Sequence, residues 1–187
     1  MRVIAGKFRS RTLIAPRGLD TRPTSDRLRE TLFNVLAPRI EGAAFLDLYA
    51  GSGANGIEAL SRGAKRVVLV EKAASAIAAI RTNLQTLAMQ EGWQLETRSV
   101  AASVKCLVEQ RQRFEIVFLD PPYKAMNEYE LILSSLGGEH KSLLADDAVV
   151  IAEHYRKQPL DDAYGVLQRY RLLEQGDASL SFYSISL

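Results

Sequence analysis

Short apolar segments alternate with segments of helical periodicity from residue 44 to residue 153. Strands that alternate with helices are joined by right-handed crossovers, and such connections make successive strands parallel. Helices then cover both faces of the sheet, so the strands are apolar along most of their length. The pattern therefore predicts a doubly wound α/β fold with a mostly parallel sheet.

The bounds of the predicted elements follow from where each apolar or periodic segment ends. Strands are predicted at residues 44–49, 66–71, 93–98, 114–120 and 149–153, and helices at about 55–62, 74–88, 101–110 and 128–136. Residues 165–173 and 179–187 then alternate without a helix between them, and a Gln175-Gly-Asp177 turn joins them. We expect these last two segments to form an antiparallel hairpin that closes the sheet.

An extension precedes this core. Residues 2–15 contain two short extended stretches around Gly6, which is the pattern of a hairpin. Apolar residues at helical spacing follow, and they predict a helix that Thr24 or Ser25 caps and that ends at Ala37 because a proline comes next.

Length and composition limit the class of protein. At 187 residues we expect a single domain, with an N-terminal extension (1–39) and a catalytic core (40–187). The single cysteine and two histidines exclude a disulfide framework and leave no multi-cysteine zinc site, so we expect a cytoplasmic protein without a metal. No apolar run reaches the roughly 18 residues of a membrane span. We also expect the protein to be a monomer.

The charge of the chain is unevenly distributed. Residues 1–39 hold 9 of the 24 Lys and Arg but only 3 of the 22 Asp and Glu, a net +6, whereas the rest carries 15 basic and 19 acidic residues, a net −4. A basic end on a mildly acidic body is expected where one end of the chain meets phosphate groups. A solvated basic face is the alternative.

A glycine-rich motif, Asp47-Leu-Tyr-Ala-Gly51-Ser-Gly53-Ala-Asn-Gly56, lies where the first predicted strand turns into a helix. Glycines there let the backbone approach a ligand at a helix N-terminus. Glu71 ends the next strand, where its carboxylate can accept both hydroxyls of the ribose found in NAD, FAD and S-adenosylmethionine alike. Asp47 favours the last of these, because it would repel a pyrophosphate but suits a cationic ammonium and sulfonium group.

A second motif, Asp120-Pro-Pro-Tyr123, follows the predicted strand at residues 114–120. Two consecutive prolines remove two N–H donors, so the turn presents carbonyl oxygens and the Asp120 carboxylate as acceptors. Acceptors of this kind suit the exocyclic amine of a base, and Tyr123 can stack on that base. A rigid structural loop is the alternative reading of this motif.

The two motifs together resemble the class I S-adenosylmethionine-dependent methyltransferases, whose catalytic core is a Rossmann-like sheet. With residues 22–34, the stretch 47–63 and Asp120–Tyr123 in this order, the chain looks like the RsmD family of 16S ribosomal RNA guanine-N2 methyltransferases. This resemblance implies S-adenosylmethionine as the cofactor. It also implies transfer of a methyl group to the exocyclic N2 amine of a guanine in the 16S RNA of the small ribosomal subunit.

The resemblance also assigns site residues. It implies a catalytic motif of Asp120, Pro121, Pro122 and Tyr123. It implies cofactor contacts from Asp47, Tyr49, Ala50, Gly51, Ser52, Gly53, Glu71, Lys72, Ser99 and Val100. Many of these enzymes place an aspartate at this point to accept from the adenine amine, and here Ser99 or the backbone of Val100 could take its place. Ile77 or Leu107 could flank the adenine ring.

The basic residues of the extension are the candidates for RNA contacts. A salt-bridged surface is the alternative, because Asp26 and Glu30 could form ion pairs with some arginines of the group, and we favour RNA contacts for Arg9 and Arg11 only. That group consists of Arg9, Arg11, Arg22, Arg27 and Arg29. We expect His154 to be a surface residue, His140 to lie in a loop, and Cys106 to belong to the core rather than act as a nucleophile.

Three other functions remain open from the sequence. An adenine-N6 methyltransferase acting on DNA or RNA would use the same Asp-Pro-Pro-Tyr motif to hold its target amine. A chain of 187 residues, however, leaves little room for a separate target-recognition domain. A nicotinamide oxidoreductase would account for the glycines but not for Asp120–Tyr123. A non-catalytic RNA-binding ribosome-assembly factor would account for the basic extension but not for both motifs.

Overall fold

The computed structural model describes residues 1–16, 26–122 and 126–186 of the chain. These residues form two compact units, one covering Met1–Ser99 and the other beginning at Val100. Their helices are α1 (Asp26–Ile40), α2 (Ala54–Ser61), α3 (Ala74–Thr86), α4 (Val100–Glu109) and α5 (Met126–Gly137). Their strands are β1 (Ala44–Asp47), β2 (Arg66–Val70), β3 (Trp93–Glu96), β4 (Phe114–Leu119), β5 (Leu144–Tyr155), β6 (Ala163–Tyr164), β7 (Leu167–Gln175) and β8 (Ala178–Ile185).

The first unit is a parallel three-stranded sheet in the order β3-β2-β1, with α1, α2 and α3. Asp47 pairs with Leu69 at the carboxyl end of β1, and Val70 pairs with Glu96 at the carboxyl end of β2. β2 is buried from Val67 to Val70, as expected for a strand covered on both faces. The loops that leave β1 and β2 at this edge therefore lie next to each other.

The second unit contains β4 and β5 in parallel, followed by three antiparallel neighbours in the order β5-β8-β7-β6. β4 is apolar and buried except at the half-buried Glu115, and β5 is buried from Ala148 to His154, whereas β7 keeps one polar side. A bulge in β7, between Arg169 and Arg171, leaves Tyr170, Arg171 and Leu172 exposed in succession.

The fold class is the predicted one: a mostly parallel, doubly wound α/β sheet that ends in an antiparallel hairpin. All five predicted parallel strands and the four helices between them are present, with ends that differ by a few residues. The strand predicted at 149–153 is longer and begins at Leu144, and the two-residue β6 was not predicted. The expectation of a single domain is not tested by the two units and stays a prediction.

The N-terminal extension agrees with its prediction in one respect and differs in another. Its two stretches form the predicted hairpin, with an antiparallel Arg2–Thr12 bridge and a Val3 amide that donates to the Arg11 carbonyl at 2.9 Å. Other amides of the hairpin donate to side chains of α2 and α3. The predicted stop at Pro38 is wrong, since α1 continues to Ile40, which is 4% exposed. The free energy gained by burying Ile40 with the other buried residues of α1 outweighs the loss of the one hydrogen bond that Pro38 cannot donate. The proposed capping residues, Thr24 and Ser25, lie outside the described residues.

Candidate active site

The glycine loop joins β1 to α2 and begins directly after Asp47, whose side chain is buried. Gly51 and Gly53 have φ angles of +54° and +79°, a backbone region that only glycine occupies without strain. A Cβ placed on Gly51 would meet no atom within 4 Å, so the loop leaves open space on that side. The sequence therefore needs glycine at position 51 for its backbone conformation, and the space beside it suits a ligand.

The Glu71 carboxylate is held against this loop. Its Oε2 accepts a hydrogen bond from the Gly51 amide at 2.9 Å, and its Oε1 accepts from the amides of Lys72 and Ala73, each at 2.8 Å. Glu71 follows β2 directly, which explains how a residue twenty positions beyond Gly51 reaches the loop. The structure thus places Glu71 beside the glycine motif, and its bond to a ribose stays a prediction.

The donor and acceptor set at this end of the first unit fits S-adenosylmethionine. A buried Asp47 carboxylate and the fixed Glu71 carboxylate supply negative charge for a cationic ligand and an acceptor for its ribose. Ser52 and Ala50 are buried in the loop, Tyr49 is half-buried, and Lys72 is exposed. Their individual contacts with the cofactor remain predictions.

The residues expected near the adenine ring differ in how far they are buried. Ser99 is exposed at the end of the first unit, and Val100 is the first residue of α4 and almost fully buried. Ile77, on α3, is half-buried, but Leu107 is fully buried and presents no face to a ligand. Leu107 is therefore removed from the candidates for adenine contact.

In the second unit, Asp120 follows the buried strand β4 directly. Its side chain is half-buried, Pro121 is buried, and Pro122 is exposed. The strand thus delivers a carboxylate to its carboxyl end, and the two prolines leave this turn with carbonyl acceptors and without N–H donors. Tyr123, the last residue of the motif, lies outside the described residues.

His154 is not the surface residue that the sequence suggested. β5 extends to Tyr155 and pairs with β8, so His154 lies inside the sheet and is 2% exposed. Its Nδ1 faces the carbonyls of Tyr155 and Gln158 at 3.2 and 3.1 Å, and its Nε2 lies 2.9 Å from the Ser181 hydroxyl. Burial lowers the pKa of His154, and a neutral ring satisfies all three partners. His154 is structural.

His140 lies in the turn after α5, as expected, where its Nδ1 is 2.7 Å from the Ser135 hydroxyl. Cys106, expected in the core, is only half-buried on α4, and its Sγ accepts a hydrogen bond from the side-chain Nε2 of Gln110 at 3.3 Å. Among the described residues, no cluster of three or more His, Cys, Asp or Glu could hold a metal ion. No helix in the described part of the chain is long and apolar enough to cross a membrane.

The basic extension exposes Arg9 and Arg11, the two arginines favoured for RNA. Arg29 is not available, because it is fully buried and donates to the Asp26 carboxylate at 2.8 Å and to the Arg2 carbonyl at 2.6 Å. The ion-pair alternative is therefore correct for Arg29. Arg27 is exposed, and Arg22 lies outside the described residues.

Two polar residues that sequence reasoning missed hold the extension on α2. Glu58 is fully buried, pairs with Arg62 at 2.7 Å, and accepts from the amides of Ile4 and Ala5 at 2.7 and 3.0 Å. The Ser61 hydroxyl accepts from the Phe8 amide at 3.0 Å and donates to the Ala5 carbonyl at 2.5 Å. The available signal was a charged residue among the small and apolar residues of α2. A charged residue in such a helix indicates that it has a partner inside the protein, but the sequence does not show which segment supplies that partner.

Comparison with known proteins gives consistent matches. A family model described as "Conserved hypothetical protein 95" matches residues 1–184. The chain is 36% identical over 183 residues to "Putative rRNA methyltransferase YlbH" of Bacillus subtilis, covering 98% of each chain. It is 40% identical over 153 residues to "Ribosomal RNA small subunit methyltransferase D" of Escherichia coli, covering 82% of this chain and 74% of the relative. The solved structure of "Putative methyltransferase yhhF from Escherichia coli" matches with a TM-score of 0.84 at 34% identity, covering 100% of this chain and 98% of that one.

The fold, the glycine loop and these matches define an S-adenosylmethionine-dependent methyltransferase. The family match spans nearly the whole chain, and the chain therefore belongs to the RsmD family.

Proposed function

We propose that this chain transfers the methyl group of S-adenosylmethionine to the exocyclic N2 amine of a guanine in the 16S RNA of the small ribosomal subunit. The observation that carries the proposal is Asp120, held at the end of β4 and followed by two residues without an N–H group. The names of the relatives, a small-subunit RNA methyltransferase among them, support the choice of RNA.

The cofactor residues belong to the first unit. When bound, S-adenosylmethionine supplies a methyl group on a sulfonium leaving group. Glu71 accepts from the ribose, Asp47 favours the cationic end by charge, and the loop at residues 49–53 lines the ligand, with Lys72 beside it. Ser99 and Val100 take the adenine amine in place of the aspartate that many related enzymes use. Among the described residues, the glycine loop contains no basic side chain that would repel the cationic end of the cofactor.

The amine is held by acceptors. The Asp120 carboxylate and the Pro121 carbonyl accept the two amine hydrogens, Pro122 stiffens the turn, and Tyr123 stacks on the base. These bonds keep the nitrogen lone pair available for attack and stabilise the positive charge that develops on nitrogen. With the cofactor bound, one C–N bond would form as the C–S bond breaks, S-adenosylhomocysteine would leave, and the amine would lose one proton to solvent water. Fixing the orientation of the amine before the reaction can supply roughly 7–11 kcal/mol of the rate enhancement.

The basic extension supplies RNA affinity. Arg9 and Arg11 are exposed on a segment whose backbone is fixed to α2, so they can meet phosphates without much loss of order. Residues 1–39 then act as an RNA-docking extension of a single catalytic domain. We propose that this domain acts without a metal ion, because the proposed chemistry needs only acceptors and a reactive methyl group. We also propose that it acts as a monomer.

The test is a transfer reaction with methyl-labelled S-adenosylmethionine. Unmodified small-subunit ribosomal RNA, either free or assembled with its proteins, is incubated with the protein and digested to nucleosides. Label in N2-methylguanosine is expected. Label in N6-methyladenosine would replace the substrate by adenine while keeping the cofactor and the fold. Binding of RNA with no transfer to either form would instead favour a non-catalytic assembly factor.

A further inference from the structure

Asn83, on α3, joins the N-terminal extension to the glycine loop. Its Nδ2 donates to the Ser52 carbonyl at 2.9 Å and to the Ile14 carbonyl at 3.1 Å. Its Oδ1 accepts from the Ile14 amide at 2.8 Å. The side chain is 2% exposed, so both of its N–H groups are used inside the protein. One buried carboxamide thus bonds to both segments at once.

The two segments that Asn83 joins carry different parts of the proposed function. Ser52 lies between Gly51 and Gly53, so its carbonyl belongs to the turn that approaches the cofactor. Ile14 closes the extension that exposes Arg9 and Arg11. A second contact supports the connection, since the Ser52 hydroxyl lies 3.6 Å from the Met1 sulfur. The extension therefore contacts Ser52 directly through Met1 and is joined to it a second time, at Ile14, through Asn83.

We propose that Asn83 is a positioning residue that couples cofactor binding to RNA binding. A cofactor that orders the glycine loop fixes the Ser52 carbonyl and, through Asn83, the backbone at Ile14. RNA that holds the extension has the reciprocal effect, because coupling between two binding sites is the same in both directions. This inference rests on the proposed function, since it assumes that the loop takes S-adenosylmethionine and that the extension meets RNA.

The chemistry of the side chain accounts for asparagine at this position. The Ser52 and Ile14 carbonyls need donors and the Ile14 amide needs an acceptor, and a carboxamide supplies both. A carboxylate of the same shape cannot donate, so Asn83→Asp removes the bonds to both carbonyls. A leucine of similar size fills the space without any hydrogen bond, so Asn83→Leu cuts the connection with little change in packing.

The first experiment measures the coupling as a ratio of dissociation constants. The affinity of S-adenosylhomocysteine, which binds without turnover, is measured with and without saturating unmodified small-subunit ribosomal particles. For the unsubstituted protein we expect particles to tighten this affinity at least about fivefold, the lower end of typical coupling between sites. For Asn83→Leu and Asn83→Asp we expect the ratio to fall below about twofold.

Ser61→Ala is the matched control. Ser61 also holds the extension, through Ala5, Lys7 and Phe8, and none of these hydrogen bonds involves Ser52. The variant is expected to loosen the extension and weaken RNA binding while keeping the coupling ratio. A merely structural role for Asn83 predicts the opposite pattern, with equal effects of Ser61→Ala and Asn83→Leu on the ratio, and this result would overturn the proposal.

A second measurement needs no variant, and it decides the matter if the Asn83 variants do not fold. Hydrogen exchange of individual backbone amides is followed in the unsubstituted protein with and without S-adenosylhomocysteine. The Ile14 amide, bonded to Asn83, is expected to slow about fivefold or more when the cofactor product binds. The Lys7 amide, bonded to the Ser61 carbonyl at 2.8 Å, is the internal control and is expected to change little.

The outcomes separate this inference from the proposed function. Methyl transfer to guanine with a coupling ratio of one and an unchanged Ile14 amide would refute the role of Asn83 and leave the enzyme activity intact. A protein that binds neither S-adenosylhomocysteine nor ribosomal RNA would refute the proposed function and the coupling together. Slower exchange at Ile14 with a ratio retained in Asn83→Leu would place the connection elsewhere and overturn the assignment to Asn83.

Discussion

The Glu71 carboxylate accepts a hydrogen bond from the amide of Gly51, with 2.9 Å between Oε2 and the nitrogen. Oε1 accepts from the two amides that follow Glu71 in the chain, so three N–H groups of the described residues fix one carboxylate. Each carboxylate oxygen has two acceptor sites, so with three of the four occupied Oε2 can accept from one ribose hydroxyl, rather than from both as the sequence suggested. The end of β2 and the glycine loop are therefore aligned by the side chain that is proposed to hold the ribose.

Glu71→Gln is expected to weaken S-adenosylmethionine binding nearly as much as Glu71→Ala. Glutamine has one acceptor oxygen, so its amide group would point a donor at either the Gly51 amide or the amides of Lys72 and Ala73. Loss of a charge-assisted bond costs about 1.5–3 kcal/mol, or roughly 10–150-fold in affinity. Calorimetric titration measures this loss, with exposed Glu109→Gln as the control. Full affinity in Glu71→Gln would contradict the role of the carboxylate.

Asp120→Ala is expected to abolish methyl transfer while leaving cofactor binding largely intact. The carboxylate holds the attacking amine and stabilises its developing charge, and removing such a group typically lowers turnover by about 10²–10³-fold. Turnover is followed by transfer of labelled methyl groups and cofactor affinity by titration. Glu139→Ala, which removes an exposed carboxylate from the same unit, is the control. Equal losses of turnover and cofactor affinity in Asp120→Ala would show that Asp120 acts on the fold or the cofactor instead.

The core elements could be predicted from the sequence because their signal is local. Each buried parallel strand is an apolar run, and each covering helix repeats apolar residues at helical spacing. Pro38 was misread because the sequence does not show that Ile40 finds a buried site beyond it. β6 was missed because two residues carry no periodicity, and the strand exists only through its pairing with Leu167 and Gln168.

The residues of the candidate site also fall into two groups, those with a local sequence signal and those that depend on partners far away in the chain. The positions of Asp47, Gly51, Glu71 and Asp120 could be predicted because each lies at or directly after the end of a strand or in a turn, and sequence order fixes that position. Glu58 and Asn83 could not be assigned partners, since those partners lie 54 and 69 positions away in the extension. His154 was misplaced for a related reason, because its burial depends on pairing with β8.

Gly6→Ala is expected to detach the extension from α2. A Cβ on Gly6 would lie 1.8 Å from the Ser61 carbonyl oxygen, and the φ angle of +80° adds backbone strain. Gly42→Ala is the matched control, because Gly42 has a φ angle of +75° but no atom within 4 Å of its Cβ position. The control should lose about 1–2 kcal/mol of unfolding free energy from strain alone, and Gly6→Ala clearly more. Urea unfolding and trypsin cleavage at Arg9 and Arg11 measure the difference, and equal losses would contradict the close packing at Gly6.

Replacing Arg9 and Arg11 together by glutamine is expected to weaken RNA binding and reduce its salt dependence. Each phosphate contact with single-stranded RNA contributes about 0.7 to the slope of log affinity against log salt, so two contacts contribute about 1.4. Filter binding over a range of potassium chloride concentrations gives this slope. Arg81 and Lys105, also exposed, are replaced by glutamine in the control, which has the same net charge. An equal change of slope in both proteins would indicate a general charge effect rather than contacts at the extension.

His154 is expected to make the fold less stable below about pH 6.5. Burial lowers the pKa of His154 from its ordinary value of 6.5, so between the two pKa values the unfolded chain binds more protons than the folded one. Stability then rises with pH through this window, stays level above about pH 6.5 and falls on acidification, by at most about 1.4 kcal/mol per pH unit for one proton. Urea unfolding at pH 7.5, 6.5 and 5.5 measures this dependence. His154→Gln keeps an acceptor for Ser181 but cannot titrate, so its stability should change less between pH 6.5 and 5.5. An unchanged slope in this variant would mean that other groups cause the acid sensitivity.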